Sequence, residues 1–340
     1  MISPFHVYLR CLHFSRRRWP ILFLVISCLF FLHFIFSGYF EELLSCVLPL
    51  FYPTPSSLST SQLLAPSILV SPPKGCSPAP FLLILVSSSP SHQDQRNTIR
   101  QTWGSRSSSK VSLSLTLFVL GVPKSENEQT ALLQEANIYG DIIQADFTDS
   151  YRNLTLKTLV GLSFVSQRCQ GAKFLMKTDD DVFVNTLALS RFLQGQGGPL
   201  YLGRVHWRVY ADRNPGSRHY TSRSTYPDEN FPPYCSGTGY VLSQEAIVSF
   251  LQQAERQTII SLEDVYSGIL AWAAGISPKH VARFAGSILV PHSGCCYNTM
   301  FTSHGLTPQS MKEAWTMLSE VRNDWCLLSL LRCKIQGNIL

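Results

Sequence analysis

Two patterns of apolar and polar positions divide the chain. From Ile21 to Phe36 apolar residues follow one another with His33 as the single strongly polar member. After residue 80, short apolar runs alternate with polar segments that are compatible with helices. A segment that is apolar on all sides is typical of a membrane span, and the alternation is typical of a globular domain.

The alternation predicts the fold class. We expect strands at 81–86, 115–120, 141–147 and 173–177, and helices at 93–103, 126–137 and 154–169. Continuous apolar strands separated by helices predict an α/β fold with a mostly parallel central sheet flanked by helices. Further helices are expected at 187–193, 243–254, 263–274 and 308–321, where the pattern is looser.

The N-terminal apolar segment is expected to anchor the chain in a membrane. Residues 19–40 suffice to cross a hydrocarbon core of about 30 Å. Arg16, Arg17 and Arg18 precede the segment and place residues 1–18 in the cytosol. A cleaved signal peptide is the alternative, but its apolar core is usually shorter. We therefore expect a cytosolic tail at 1–18 and a transmembrane signal-anchor at 19–40.

The composition between the anchor and the first strand predicts a stem. Residues 49–80 are rich in Pro and Ser, and such chain is stiff and buries little apolar area. We expect a stem at 41–79 and a lumenal catalytic domain at 80–340. This arrangement makes the chain a single-pass type II membrane protein.

Cysteine usage agrees with a lumenal domain. Eight cysteines follow the anchor: Cys46, Cys76, Cys169, Cys235, Cys295, Cys296, Cys326 and Cys333. None forms a Cys-x-x-Cys pair typical of zinc sites, so disulfides are expected. The sequence leaves their pairing open, and an odd thiol would be available to link two chains near the stem.

Charge and modification motifs add two expectations. The formal net charge of +6 owes much to the short cytosolic end, and no basic array interleaved with aromatic residues predicts nucleic-acid binding. The sequon Asn153-Leu154-Thr155 predicts N-glycosylation at Asn153.

The acidic triplet Asp179, Asp180 and Asp181 is the main candidate for chemistry. It follows the expected strand at 173–177, and ligands bind beyond the carboxyl ends of such strands. Hard carboxylate oxygens suit Mg²⁺ or Mn²⁺, which would carry a phosphate partner. A solvated acidic turn is the alternative for a triplet taken alone.

Three other features are open to two readings. Asp264 and Glu263 begin a predicted helix, where acids complement the helix dipole and Ser261 would cap, or where a carboxylate acts as a general base. Gly237 and Gly239 allow close backbone approach to a ligand or simply form a turn. The histidines His206, His219, His280, His292 and His304 are candidate metal ligands that spacing alone does not separate.

Six motifs in order resemble the β1,3-galactosyltransferase family of inverting GT-A glycosyltransferases. They are 96–103 (RNTIRQTW), 118–121 (FVLG), 146–158 (DFTDSYRNLTLKT), 177–182 (KTDDDV), 237–241 (GTGYV) and 263–268 (EDVYSG). The resemblance implies a GT-A nucleotide-sugar-binding fold, UDP-galactose as donor and Mn²⁺ as cofactor.

The same resemblance implies residue roles. Asp181 and His304 would hold the metal, with Asp179 at the metal or at the uridine ribose, and Asp264 would be the general base. Arg96 and Arg100 would fix the nucleotide or a neighbouring carboxylate. The donor side would also include Lys177 and Asp180. The acceptor side or pocket would comprise Trp207, Tyr234, Gly237, Gly239 and Glu263.

Further segments resemble family members that act on gangliosides. They are 201–209 (YLGRVHWRV), 295–297 (CCY) and 302–306 (TSHGL), although the connection from Val184 to Tyr201 is shorter than expected. The resemblance implies a glycosphingolipid acceptor with terminal β-GalNAc, location in the Golgi membrane, and homo- or hetero-oligomers with other glycosyltransferases.

Two alternative functions are open. One is transfer of galactose or N-acetylglucosamine to GlcNAc- or Gal-terminated glycans, and the other is glycan binding without catalysis. Residues 204–223 carry five arginines against one acid, Asp212, which suggests attraction of a sialyl carboxylate or merely a solvated basic loop.

Overall fold

The computed structural model describes residues 19–32, 39–47, 66–105, 114–321, 326 and 333. The strands are β1 Ile68–Val70, β2 Leu82–Ser87, β3 Ser114–Val122, β4 Ile142–Thr148, β5 Phe174–Asp179, β6 Phe183–Val184, β7 Tyr201–His206, β8 Tyr234–Ser243, β9 Lys279–His280 and β10 Thr302–Ser303. The helices are α1 at residues 19–32, α2 Tyr39–Val47, α3 Gln93–Gln101, α4 Glu126–Tyr139, α5 Leu154–Arg168, α6 Thr186–Leu193, α7 Gln244–Ala254, α8 Glu263–Ala273, α9 Gly294–Thr299 and α10 Pro308–Glu320.

A central eight-stranded sheet organises the described residues. Its strand order is β1-β4-β3-β2-β5-β8-β7-β9, and β10 pairs with β6 in a separate two-stranded sheet. Four of the seven pairings in the large sheet are parallel. The expected α/β fold is therefore confirmed, and its central sheet is mixed but mostly parallel.

The antiparallel pairing in the second half of the sheet is what the sequence pattern did not predict. Strand β8 lies antiparallel between β5 and β7, directly beside the strand that carries the acidic triplet. Its glycines interrupt the apolar run that marks the buried strands β2 to β5. The antiparallel pairing brings Gly239 opposite Thr178, next to the end of β5.

The sheet is buried on both faces, as the continuous apolar strands require. In β2, Leu83 and Leu85 pack into a core with residues of α5 and α8. Alternate residues Ile84 and Val86 pack into a second core with residues of α3 and α10. Burial of both faces fixes the register of the strands, because side chains alternate between them.

Three disulfides confirm the expectation of an oxidised domain. They join Cys76 to Cys169, Cys295 to Cys326 and Cys296 to Cys333. Cys235, which was expected among the disulfides, is a buried free thiol in β8, so that expectation is wrong at this position. The strand places Cys235 in the hydrophobic core.

The N-terminal part contains regular elements on both sides of the expected stem boundary. Of the segment 19–40 predicted as an anchor, residues 33–38 lie outside the described residues. The same is true of the predicted cytosolic tail at 1–18 and of residues 48–65 of the predicted stem at 41–79. No helix in the described part of the chain is long and apolar enough to cross a membrane. Within the range predicted as stem, α2 packs against β9 and β1 pairs with β4.

Candidate active site

The acidic triplet follows β5, and its three carboxylates have three different surroundings. Asp179 ends the strand and accepts a hydrogen bond from Lys177 Nζ at 2.8 Å. Asp180 is buried, whereas the Asp181 side chain is 41 % exposed and lies 3.3 Å from His304 Nε2. Successive side chains on extended backbone point to opposite sides, so the triplet is not a set of three equivalent ligands.

Asp180 is turned toward the loop between β2 and α3. Its Oδ2 accepts a hydrogen bond from Ser88 Oγ at 2.7 Å and lies 2.9 Å from His92 Nδ1. The hydrogen bond to Asp180 raises the pKa of His92. Asp180, expected on the donor side, thus acts by positioning this loop. Sequence reasoning missed His92, whose only signal was its place just before a helix at a strand's carboxyl end.

Arg96 is occupied entirely by internal partners. Its five N–H donors bond both oxygens of Glu135, the hydroxyl of Ser88 and the carbonyls of Ser89 and Pro90. Its side chain is 1 % exposed. Of the two roles that were open, the geometry favours the neighbouring carboxylate, because no donor remains for a nucleotide.

Arg100 has the same kind of surroundings. It contacts Glu135 at 2.8 Å and makes a two-pronged hydrogen-bonded pair with Asp141. Its guanidinium lies over the ring of Tyr139, 3.8 Å from the centroid. Burial alone would lower the pKa of Arg100, but Asp141 and Glu135 hold it above its ordinary value. Arg100 therefore braces α3 against α4 and β4.

Lys177 is the centre of a buried charged network beneath the site. Its Nζ contacts Asp179 at 2.8 Å, Glu263 at 3.0 Å and the carbonyl of Gly237 at 2.8 Å. Burial lowers the pKa of Lys177, but the two carboxylates raise it well above the ordinary value. The network ties β5, β8 and α8 together at one end of the sheet.

Glu263 belongs to this network and not to an open acceptor pocket. Its side chain is 5 % exposed. Besides the contact with Lys177, it accepts hydrogen bonds from Tyr240 Oη at 2.6 Å and from Ser267 Oγ at 3.3 Å. These partners enclose the Glu263 carboxylate. Glu263 therefore supports the position of Asp264, its neighbour in the chain.

Asp264 stands at the start of α8 with its carboxylate toward β8. Oδ2 accepts the backbone N–H of Gly237 at 3.2 Å, and Oδ1 accepts that of Val265 at 2.9 Å. Burial raises the pKa of Asp264, while these hydrogen bonds and Lys177 lower it to a smaller extent. The expected cap at Ser261 is wrong, since the residue before the helix is Leu262 and no side chain caps it.

Asp181 and His304 meet because of the small sheet. β10 pairs with β6, and the N–H of Leu306 donates to the carbonyl of Asp181 at 2.9 Å. These contacts hold the segment after β10 against the turn after β5. Hydrogen bonding to Asp181 raises the pKa of His304. Burial raises the pKa of Asp181, but His304 brings it below its ordinary value.

The pair fits a divalent cation that is shared with a substrate. Carboxylate oxygen suits Mn²⁺, and neutral imidazole is the commonest metal ligand in proteins. In the described ranges there is no group of three His, Cys, Asp or Glu residues able to hold a metal, and Asp179 is engaged with Lys177. The described residues thus offer two candidate side-chain ligands, and phosphate oxygens and water would complete the coordination, a common arrangement for phosphate-bound cations.

The other candidate histidines have separate surroundings. His280 Nε2 lies 3.2 Å from Glu41, and His292 Nε2 lies 3.3 Å from Glu313. His206 packs its ring against Tyr234, and His219 accepts from Arg218. Of these five histidines, the structure places His304, the one that the family resemblance implied, beside Asp181.

Apart from Glu263, the residues expected on the acceptor side lie on β8 and in the loop before it. Tyr234 is buried, and burial together with the charge of Asp264 raises its pKa. A Cβ on Gly237 would lie 3.4 Å from Asp264 Oδ2, whereas one on Gly239 would lie 3.1 Å from Met176. Gly237 thus borders the carboxylate, Gly239 serves strand packing, and Trp207 packs partly buried against the core.

Much of the basic segment is structural. Arg213 donates to the carbonyls of Thr221 and Asp228, and Arg223 pairs with Glu229 at 2.6 Å. Arg208 and Arg218 are exposed.

The sequon lies at the start of α5. Asn153 is partly exposed and donates to the carbonyl of Thr148 at 2.8 Å, while the hydroxyl of Thr155 is buried against Ile260. Glycosylation of Asn153 stays a prediction.

Comparisons with known proteins identify relatives of this chain. A family profile described as "Galactosyltransferase" matches residues 94–282, more than half of the chain. β1,3-galactosyltransferase 4 of Rattus norvegicus is 42 % identical over 83 % of this chain and 85 % of its own. The Homo sapiens protein of that name is 39 % identical over 88 % and 92 %.

More distant likenesses were also found. β1,3-galactosyltransferase 1 of Mus musculus is 35 % identical over 76 % of this chain and 80 % of its own. Among solved structures, the galactosyltransferase LgtC, crystallised with donor and acceptor sugar analogs, aligns over 72 % of this chain and 98 % of its own. Its identity is 12 % and its TM-score 0.39, too distant to bear on the site.

Proposed function

Because this chain belongs to the galactosyltransferase family and is therefore a glycosyltransferase, we propose that it transfers galactose from UDP-galactose in β1,3 linkage to a terminal β-GalNAc. The proposed acceptors are the gangliosides GM2 and GD2 and the uncharged GA2, and the products GM1, GD1b and GA1. The anomeric centre is inverted in one displacement.

The position of Asp264 carries the mechanism. Its carboxylate is fixed by the N–H groups of Gly237 and Val265 and has a raised pKa, so it is a stronger base than an exposed aspartate. It takes the proton from the acceptor 3-hydroxyl while that oxygen bonds to the anomeric carbon. The bond from this carbon to the UDP oxygen breaks on the opposite side, which inverts the configuration.

Asp181 and His304 are the proposed ligands of Mn²⁺ on the donor side. When bound, the cation supplies Lewis-acid neutralisation of the departing diphosphate. Lys177 keeps Asp179 in place at the end of β5, and Asp180 holds the loop with Ser88 and His92 beside it. These internal contacts preorganise the donor side before the substrate arrives.

The glycolipid acceptor and the location are also part of the proposal. Identity of 39–42 % to β1,3-galactosyltransferase 4 of three mammals over most of the chain supports an acceptor like theirs. The exposed apolar side chains of α1 support a signal-anchor at 19–40. We place the protein in the Golgi membrane as a single-pass type II protein with residues 80–340 in the lumen.

One assay separates the proposal from its alternatives. Full-length protein in detergent is incubated with UDP-galactose or UDP-GlcNAc and Mn²⁺, against GM2, GD2, GA2 and a GlcNAc-terminated oligosaccharide. We expect galactose transfer to the GalNAc-ended acceptors. Transfer of GlcNAc, or transfer only to the oligosaccharide, would indicate the other transferase activities. Absence of transfer with retained glycan binding would indicate a non-catalytic binding protein.

The metal assignment has its own test. His304→Ala is compared with His292→Ala, which removes a partly exposed histidine that pairs with Glu313. We expect only the first variant to need more Mn²⁺ for half-maximal transfer and to bind Mn²⁺ with UDP more weakly in calorimetry. An unchanged Mn²⁺ requirement in His304→Ala would remove His304 from the ligand set.

A further inference from the structure

Helix α2 is attached to the catalytic domain by its polar face. Glu41 Oε2 lies 3.2 Å from His280 Nε2, and Glu42 Oε1 accepts the N–H of Ala282 at 3.2 Å. Ser45 is buried on the same face. The contacted strand β9 is an edge strand of the large sheet, so α2 covers the end of the sheet opposite β1.

The opposite face of α2 is apolar and exposed. Phe40, Leu43, Leu44 and Val47 are spaced i, i+3, i+4 and i+7 and therefore share one side of the helix. Their exposures are 42 %, 57 %, 39 % and 47 %. A helix on the surface of a water-soluble domain normally turns its apolar side toward the protein. Here the orientation is the reverse, so the apolar side faces outward.

The neighbouring α1 indicates what the apolar face contacts. Across residues 19–32, eleven large apolar side chains are exposed: Trp19, Ile21, Leu22, Phe23, Leu24, Val25, Ile26, Leu29, Phe30, Phe31 and Leu32. The chain from residue 32 to residue 39 spans at most about 25 Å. If α1 lies in a bilayer, α2 is held within reach of its surface, where an amphipathic helix places its apolar side among the acyl chains.

We propose that α2 is a membrane-surface helix that holds the catalytic domain against the bilayer. Its stripe of Leu43, Leu44 and Val47, which follows the proposed anchor at 19–40, enters the lipid interface, and its acidic face holds β9. The stripe thus contacts a lipid surface. This inference rests on the membrane anchoring proposed above and deepens it by giving the domain a fixed attachment close to its acceptor's membrane.

The attachment is linked to the active site through the segment after β9. The N–H of Phe301 donates to the carbonyl of Arg283 at 2.8 Å, and the N–H of Ala285 donates to Thr302 Oγ1 at 3.0 Å. Thr302 begins β10, which leads to His304. The edge that α2 covers therefore also supports one side of the site. Attachment of this edge to the bilayer thus also holds the site near the lipid surface.

Photo-crosslinking in the full chain tests lipid contact without requiring activity. A benzophenone amino acid replaces Leu43 or Val47. As control it replaces Ile138, which is 74 % exposed on α4, the helix that connects β3 to β4 in the half of the sheet away from β9. After irradiation in phospholipid vesicles, mass spectrometry identifies the adducts. We expect phospholipid adducts at 43 and 47 and none at 138. Crosslinks to this chain, to a second copy, or no adduct would overturn the proposal.

A kinetic comparison tests the consequence. Leu43→Ser/Val47→Ser is compared with Ile138→Ser on GA2 in vesicles and on a soluble glycan with the same terminal sugar. We expect kcat/KM of the double variant to fall several-fold on vesicles and to stay unchanged on the soluble glycan. Equal values on vesicles for both variants would contradict the proposal.

Failure of the inference is distinguishable from failure of the proposed function. If carbonate extracts the wild-type protein from membranes, the anchoring itself is wrong. If the wild-type protein transfers galactose to neither form of the acceptor, the proposed activity is wrong. If the protein is anchored and transfers galactose, but positions 43 and 47 give no lipid adduct, only the proposed role of α2 is wrong.

Discussion

The backbone N–H of Gly237 donates to Asp264 Oδ2 at 3.2 Å, so an antiparallel strand aims the carboxylate that begins α8. Lys177 holds the same strand by bonding to the carbonyl of Gly237. The position of the proposed base thus depends on the contact of β8 with β5 and α8. The first two predictions follow from this arrangement.

Asp264→Asn should strongly reduce the rate of transfer without affecting the donor site. An amide keeps the size and one oxygen but does not accept the proton, and loss of general-base catalysis costs about 10² to 10⁴ in kcat. The measurements are transfer kinetics and calorimetric binding of UDP with Mn²⁺. Asp146→Asn, at an exposed position on β4, is the matched control and should behave as wild type. A kcat of Asp264→Asn within about tenfold of the wild-type value would mean that another group is the base.

The pH dependence of kcat/KM should report the raised pKa of Asp264. Transfer needs the ionised carboxylate, so the rate is full above the pKa of this group and falls as the pH drops through it. Because burial raises that pKa, the acid limb should lie above 3.8, the ordinary aspartate value. Measuring kcat/KM against pH checks this, with binding of UDP and Mn²⁺ followed in parallel. A limb at or below 3.8 would contradict the assignment.

Removing the charge of Lys177 should destabilise the fold. Lys177→Met leaves the carboxylates of Asp179 and Glu263 without their buried partner, and such a loss costs about 3–5 kcal/mol in the free energy of unfolding. Chemical denaturation measures it. The double variant Lys177→Met/Glu263→Gln should recover part of the loss, since the residual buried charge is smaller. Additive losses would argue against a coupled network.

We expect the purified protein to contain one specific set of three disulfides. Peptide mapping without reduction should give Cys76–Cys169, Cys295–Cys326 and Cys296–Cys333, with Cys235 labelled by thiol reagents only after unfolding. Cys76→Ser/Cys169→Ser should lower the free energy of unfolding by about 2–5 kcal/mol, because a long loop is released. Rapid labelling of Cys235 in the native protein would contradict its burial.

An exposed arginine should favour sialylated acceptors. Arg218→Glu reverses an exposed charge, and Arg223→Glu, whose guanidinium pairs with Glu229 at 2.6 Å, is the control. We expect kcat/KM of Arg218→Glu to fall on GM2 more than on GA2, because only GM2 carries a sialyl carboxylate. Equal losses on both acceptors would instead indicate a solvated or structural role for this part of the segment.

The carboxylates of the site were only partly predictable from the sequence. Asp179, Asp180 and Asp181 were recognisable as a group from their place after an apolar strand. Their separate surroundings were not, because these depend on Ser88, His92 and His304, which lie far away in the chain. Glu263 likewise resembled a site residue until its buried partners Tyr240 and Lys177 were visible.

By itself the sequence determined the buried strands β2 to β5, the helices between them, the family and the place of the acidic triplet, since local apolar periodicity and short motifs encode these features. Tertiary structure decided the antiparallel place of β8, the pairing of cysteines, the separate partners of the three carboxylates and the orientation of α2. Each of these is a contact between distant segments, which is set by packing of the whole chain and has no local pattern.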